Sequence, residues 1–190
     1  MPYLFDTDAI SELLRPKPAH AFVKWIRTVS REEQFVSAIT VADLYQGAYR
    51  SQARDRHLEN IELRVLPAVT VLPFDAATAK VFGAVRAMLE LTGTRLDDAD
   101  LQIAATALHH GLELVTGKLR HFERVPGIQL CRVLADATRP GTTEDDYYRR
   151  REDEKTRRRE DEKTRRREDE GARVSGWGWD SVGCGSSACW

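Results

Sequence analysis

DDADLQIAATALHHGLELVTGKLRHFERVPGI, residues 97–128, holds a complete helix-to-strand unit. Asp97, Asp98 and Asp100 crowd its start, where carboxylates cap a helix and favour the positive end of its dipole. Leu101, Ala104, Ala105 and Leu108 then recur on one helical face, and Gly111 ends the helix predicted over 97–110. The apolar run 112–116 follows at once as a buried strand, with another short strand at 128–131. The same alternation runs outward to the N-terminus. Tyr3, Leu4 and Phe5 form a short strand, stopped by Asp6, Thr7 and Asp8, and Asp8 is the expected cap of a helix through Leu14. A helix over 19–30, a strand over 34–39 and a long helical stretch from Thr40 through Tyr49 and, after a break, to Leu66 come next. A strand at 69–72 and an amphipathic helix from Asp75 to Leu91, closed by Gly93, complete the pattern. Strands separated by helices imply an α/β fold of three layers, with a central, mainly parallel sheet between helices. In open sheets of this kind the chemistry sits beyond the carboxyl ends of the strands. That rule points at Asp6 and at the segment after Thr116.

The chain has 190 residues, with 29 Lys and Arg against 30 Asp and Glu, which excludes a strongly basic nucleic-acid binder. The average hides two unlike pieces. Residues 1–140 carry 17 basic and 17 acidic side chains among apolar runs, and residues 141–190 carry 12 and 13 with almost no aliphatics. RRREDEKT stands at 149–156 and again at 157–164, and RRREDE follows at 165–170. A period of eight fits neither the 7- nor the 11-residue repeat of a supercoil. Opposite charges four residues apart favour a solvated helix with no apolar face, and the Gly/Ser-rich segment beyond it is expected to be disordered. The domain is therefore expected to span 1–140, with 141–190 a charged, low-complexity extension. Its positive and negative blocks cancel, so binding to nucleic acid through counterion release is expected to be weak. No apolar run is long enough to span a membrane, no signal segment is evident, and three scattered cysteines make no disulfide framework. A cytoplasmic protein without membrane association is expected.

The acids carry the chemistry. Asp6 directly follows a strand, where no turn requires it. Asp43 lies early in the helix after the second strand, where Thr40-x-x-Asp43 also reads as a capping box. Asp97 and Asp98 suit caps, whereas Asp100 stands past the cap with no evident basic partner. Two unit charges 4 Å apart repel by about 4 kcal/mol at an effective dielectric near 20, so converging carboxylates need protons or a cation. Oxygen donors without a Cys/His zinc spacing suit Mg²⁺ or Mn²⁺, the usual equipment of phosphoryl chemistry. The histidines at 109, 110 and 121 read as a helix end and a loop. Trp25, Tyr45 and Tyr49 read as core or interface residues, and Leu44 with the two tyrosines offers a dimer or partner groove. Cys131 reads as a buried strand residue, and Cys184-x₄-Cys189 is too little for zinc.

YLFDTDAISELLR (3–15), SAITVADLYQGAYR (37–50) and the 97–128 block, taken together and in this order, resemble the PIN domain, specifically the VapC toxins of bacterial toxin–antitoxin pairs. The likeness covers about residues 2–134 and leaves the tail without a counterpart. It implies a PIN-like fold and an endoribonuclease dependent on Mg²⁺ (or Mn²⁺). It further implies a cognate VapB-like antitoxin, a homodimer, and contact with operator DNA only through the antitoxin. By position, Asp6 and Asp100 match the metal-binding acids, and Asp43 joins them as a catalytic residue where the family usually has Glu. Thr7 and Thr116 match hydroxyl residues that orient the site. Lys118 stands where relatives carry Asn or Asp, and Arg120, with Arg15, Lys17 and Arg124, flanks the acidic loops as a candidate RNA contact. Two readings of Lys118 stay open: a stand-in cation that lowers metal affinity, or a contact to substrate phosphate. Accordingly two functions compete, an active ribonuclease toxin and a weakened PIN module that binds an antitoxin or acts as a regulatory decoy. A phosphate-accepting receiver-type domain is a third class, poorly matched by the Asp100 helix.

Overall fold

The computed structural model describes residues 2–138 and, from the repeat, Asp153, Thr156, Arg157 and residues 159–164. Two compact units separate, Met1–Tyr147 and Tyr148–Trp190. In the second, the described residues are helical and exposed. The boundary expected at 140 and the Gly/Ser-rich end lie outside the described residues.

The first unit alternates strand and helix: β1 (Tyr3–Phe5), α1 (Thr7–Leu13), α2 (His20–Ile26), β2 (Gln34–Ser37), α3 (Ala38–Arg50) and α4 (Arg54–Asn60). Then come β3 (Thr70–Leu72), α5 (Ala76–Leu91), α6 (Asp98–His110), β4 (Glu113–Val115), α7 (Leu119–Phe122), β5 (Gln129–Cys131) and α8 (Val133–Ala137). The five strands pair in the order β3-β2-β1-β4-β5, all parallel. The chain grows outward from β1 through β2 to β3, then returns to lay β4 on the other side of β1. This reversal is where α/β sheets open a crevice at the strands' carboxyl ends. Register fixes what faces it. Phe5 pairs with Val36 on one side and Val115 on the other, so the next residues along the three strands are Asp6, Ser37 and Thr116. The Asp6 amide extends the ladder by donating to the Val115 carbonyl at 3.0 Å.

Burial explains why the short strands hold. Leu4, Phe5, Leu114 and Val115 are fully buried, as expected of central strands covered on both faces. Leu101, Ile103, Ala104 and Ala107 of α6 pack with Val85 and Leu89 of α5 and with Phe122 and Val125 in one apolar cluster. Gly111 (φ 64°) and Gly93 (φ 67°) take the left-handed conformation that ends α6 and α5. Trp25 is buried against Phe22 and Tyr3, and Cys131 is buried on β5.

Several boundaries shift from expectation for local reasons. Asp6, not Asp8, caps α1, its Oδ1 accepting from the Thr7 amide. The helix after β2 begins at Ala38 because the Ser37 hydroxyl accepts from the Thr40 amide at 2.9 Å. Strand pairing therefore stops at Ser37, and Asp43 moves to the second turn, out of any capping box. The break near residue 51 is present, and α4 passes into a π turn (Ile61–Val65) and a 3₁₀ turn (Leu66–Ala68). Helix α2 stops at Ile26, and α7 and α8 are additional helices. Four- and five-residue helices leave too short an apolar period to be read from sequence.

Candidate active site

Four aspartates, Asp6, Asp8, Asp43 and Asp100, are tied around the crevice through Thr116, Gly117, Thr7 and Lys118 respectively. Asp6 is fully buried at the end of β1, its Oδ2 accepting from the Thr116 hydroxyl at 2.9 Å. The Thr116 oxygen in turn accepts from the Lys118 amide at 3.0 Å. Its single proton is thus directed at the carboxylates, with Asp8 Oδ1 at 3.4 Å as the second choice. Thr7 donates its hydroxyl to Asp43 Oδ2 at 3.0 Å, which ties α1 to α3. Asp100, in the first turn of α6 and 7 % exposed, faces the Lys118 ammonium at 3.3 Å (Nζ to Oδ1) and His121 Nδ1 at 3.3 Å (to Oδ2).

The absence of a basic partner for Asp100, expected from sequence, is therefore overturned. Lys118 caps α7 and His121 lies one turn on, so both side chains reach the same carboxylate. His121, read from sequence as a loop residue, lies on α7 and contacts Asp100. Asp8 is the other residue that sequence reasoning passed over. Its Oδ2 accepts from the Gly117 amide at 2.8 Å and so buckles α1 to the turn that presents Lys118. The Asp-Thr-Asp triplet held the available signal: residues two apart at the start of a helix can reach different neighbours. Asp97 and Asp98 stay outside the cluster. Asp97 caps α6 by accepting from the Ala99 amide, and Asp98 pairs with Arg86 at 2.8 Å.

A Cβ at Gly117 would stand 2.8 Å from Asp8 Oδ2, inside any real carbon–oxygen contact. Gly117→Ala is expected to push the Asp8 carboxylate off the Gly117 amide and to destabilise the fold by about 1.5–3 kcal/mol, the scale of one hydrogen bond to a charged group. Urea denaturation of the two proteins checks this, and an unchanged midpoint would remove the buckle from the account.

Electrostatics set the state of the cluster. Burial first, then the neighbouring Asp8 charge, pushes the Asp6 carboxyl up to about 7, against the pull of Lys118, the Thr116 hydroxyl and the Thr7 amide. For Lys118, burial works to lower the ammonium, but the charges of Asp6 and Asp100 outweigh it and hold it above the usual lysine range. One ammonium thus serves several carboxylates and leaves Asp6 short of positive charge. The all-oxygen donor set and this deficit fit a hard dication. Among the described residues, however, no three His, Cys, Asp or Glu side chains are gathered as an ion-holding group. Each acid is already engaged: Asp6 with Thr116, Asp8 with Gly117, Asp43 with Thr7, and Asp100 with Lys118.

A groove of about 360 Å³ leads outward from Thr7 and Asp43 between α1, α3 and α4, with Ser11, Arg15, Leu44 and His57 in its walls. Arg15 is held by the buried Glu12 at 2.7 Å. Lys17, Arg120 and Arg124 are exposed. Leu44 faces this groove, whereas Tyr45 and Tyr49 stack on each other elsewhere on α3, with Arg54 over the Tyr49 ring at 4.8 Å.

The PIN domain family model matches residues 3–128. Toxin FitB of Neisseria gonorrhoeae is 37% identical over 118 residues, which cover 60% of this chain and 85% of that protein. The tRNA(fMet)-specific endonuclease VapC of Salmonella typhimurium is 34% identical over 130 residues, covering 68% of this chain and 96% of that one. Two solved structures share the fold. FitAcB from Neisseria gonorrhoeae superposes with a TM-score of 0.64 at 32% identity, covering 68% of this chain and 96% of that one. DNA-bound VapBC from Salmonella typhimurium gives 0.63 at 34%, covering 69% and 97%.

Proposed function

This chain belongs to the PIN-domain family, among its VapC-type ribonucleases, and from that premise we propose that it is the toxin of a toxin–antitoxin pair, hydrolysing RNA phosphodiester bonds with Mg²⁺ or Mn²⁺ in the cytoplasm. The observation that carries the reading is the pair of buried carboxylates, Asp6 from β1 and Asp100 from α6, brought to one ammonium at the sheet's reversal point. Among the described residues no helix is long and apolar enough to cross a membrane.

Asp6 and Asp100 are the residues that would hold the metal, with Asp43 a third acid acting at longer reach. A bound dication of this kind polarises a phosphoryl oxygen and lowers the pKa of water. The protein does the rest by position. Thr116 orients Asp6 through its hydroxyl, and Thr7 restrains Asp43. Lys118 and Arg120, flanking the cleft on α7 and its cap, are the candidate contacts for substrate phosphate, where a positive charge stabilises the developing negative one. Arg15 lines the groove along which an RNA strand would leave.

A VapB-like antitoxin is the expected partner, since the solved relatives include VapBC and FitAB assemblies, some of them bound to DNA. An apolar groove of about 480 Å³, walled by Ile10, Leu13, Ile26 and Val29 and edged by Arg27 and Arg31, offers a surface for it. A homodimer and contact with operator DNA through the antitoxin belong to the same reading. The second reading, a catalytically weakened module that binds antitoxin or serves as a decoy, is favoured by one observation: Lys118 engages an acid that would hold the metal.

The test is cleavage of a structured RNA pool that includes initiator tRNA by the full chain in Mg²⁺ and in Mn²⁺. Cleavage that EDTA stops and either ion restores is the expected result. A chain that cuts equally well in EDTA would end the metal assignment. A folded chain that cuts nothing but captures a VapB-like peptide would transfer the conclusion to the weakened module.

A further inference from the structure

Lys118 brings an ammonium among the aspartates of the cleft, and its surroundings are specific. Its ammonium is 3.3 Å from Asp100 Oδ1, within electrostatic reach of Asp6 and Asp8 as well. Its backbone is fixed twice over, by its own amide on Thr116 Oγ1 at 3.0 Å and by the Asp8 clamp on the preceding amide at 2.8 Å. The stem is flexible and the side chain 42 % exposed, so the head group can leave the cleft although its backbone cannot. We propose that Lys118 is a tethered cation that occupies the acidic cleft in competition with the divalent ion, so that the Lys118–Asp100 pair and metal binding exclude each other. The inference rests on the metal-site reading above and deepens it.

The physical argument is one of charge and place. Three carboxylates, Asp6, Asp8 and Asp100, act on the one ammonium of Lys118, and His121 Nδ1 shares Asp100 with it at 3.3 Å. A dication offers them more, but to use Asp100 it must displace the ammonium and then tolerate a like charge held nearby by its anchored backbone. Metal affinity is thereby set by an intramolecular competitor whose effective concentration is high because the turn is clamped. A neutral side chain at this position has no such effect, whereas a positive one preserves it.

The experiment is Mn²⁺ titration by calorimetry on the full chain without RNA, with circular dichroism confirming the fold of each protein. Lys118→Asn is expected to bind Mn²⁺ at least tenfold more tightly than the parent, and Lys118→Arg to stay within about threefold of it. Equal or weaker binding by Lys118→Asn, with tight binding in the parent, would overturn the competition while leaving the metal site intact. If parent and variants alike bind no Mn²⁺ at millimolar concentration, both the competition and the metal-site reading are wrong. As a second readout, the Lys118 Nζ resonance followed by NMR should shift on Mn²⁺-free Mg²⁺ addition. A resonance unmoved by saturating Mg²⁺ would count against displacement.

Discussion

Asp6→Asn should lower the rate of RNA cleavage by about a thousandfold, roughly 4 kcal/mol of lost transition-state stabilisation, with the fold intact. Asn has the shape of Asp and retains an oxygen for the Thr7 amide, which caps α1. What disappears is a formal negative charge at the fully buried carboxyl end of the central strand. A dication gains most of its binding energy there from charge, because the site excludes the water that would otherwise compensate it. Asp100→Asn should be similarly damaging, since that acid is the other member of the pair. Asp43→Asn should cost about tenfold, because Asp43 Oδ2 is already engaged by the Thr7 hydroxyl. Single-turnover cleavage assays at saturating Mg²⁺ separate the three. A variant at Asp6 that is folded and retains a tenth of the parent rate would show that the buried carboxylate does not hold the metal.

The same residue gives the second large effect, on stability. Asp6 has a carboxyl pushed up to about 7 in the fold, against an ordinary value of 3.8. Between those two pH values the folded protein binds more protons at this site than the unfolded one does. Stability is therefore fully present below about pH 4 at this group and is lost as pH rises through about 7. At 1.36 kcal/mol per pH unit, the loss is on the order of 4 kcal/mol for this one side chain. Asp75, exposed and held below the ordinary carboxylate range by the Thr78 amide and hydroxyl, acts in the opposite direction at lower pH. From these two groups the maximum is expected at about pH 4, with stability declining from there to about pH 7. Urea denaturation in EDTA at pH 5, 6, 7 and 8 measures it, and Asp6→Asn should flatten the decline and be the more stable protein at pH 8. Parallel profiles for the two proteins would refute the linkage. Adding Mg²⁺ should restore stability at pH 8 in the parent only. Activity and stability then oppose each other at one carboxylate, as expected of a functional site held against its own electrostatics.

Much of the candidate site was legible because its residues break local rules. Asp6 ends a strand where no turn needs an acid, and Asp100 stands past the cap of a helix. Those two anomalies, with the Thr that closes β4, locate the cleft without any coordinates. Asp97 caps its helix as its position suggests, whereas Asp98, read as another cap, pairs with Arg86 instead. His121 and Asp8 were less legible. Each contact links segments far apart in the chain, Asp8 to Gly117 and His121 to Asp100, and no periodicity encodes such a meeting.

Composition, apolar spacing and capping residues were enough, by themselves, to determine the α/β class and the acids worth testing. These are local quantities: burial periodicity and helix caps act within a few residues. Tertiary structure alone decided the strand order β3-β2-β1-β4-β5, and with it the alignment of Asp6, Ser37 and Thr116 along one edge. It also decided that Ser37 rather than Thr40 starts α3, which frees Asp43 for Thr7, and that the ammonium of Lys118 settles on Asp100. The reason is that hydrogen bonds and charges act through space. Their partners are chosen when the sheet closes, not by neighbours in the chain.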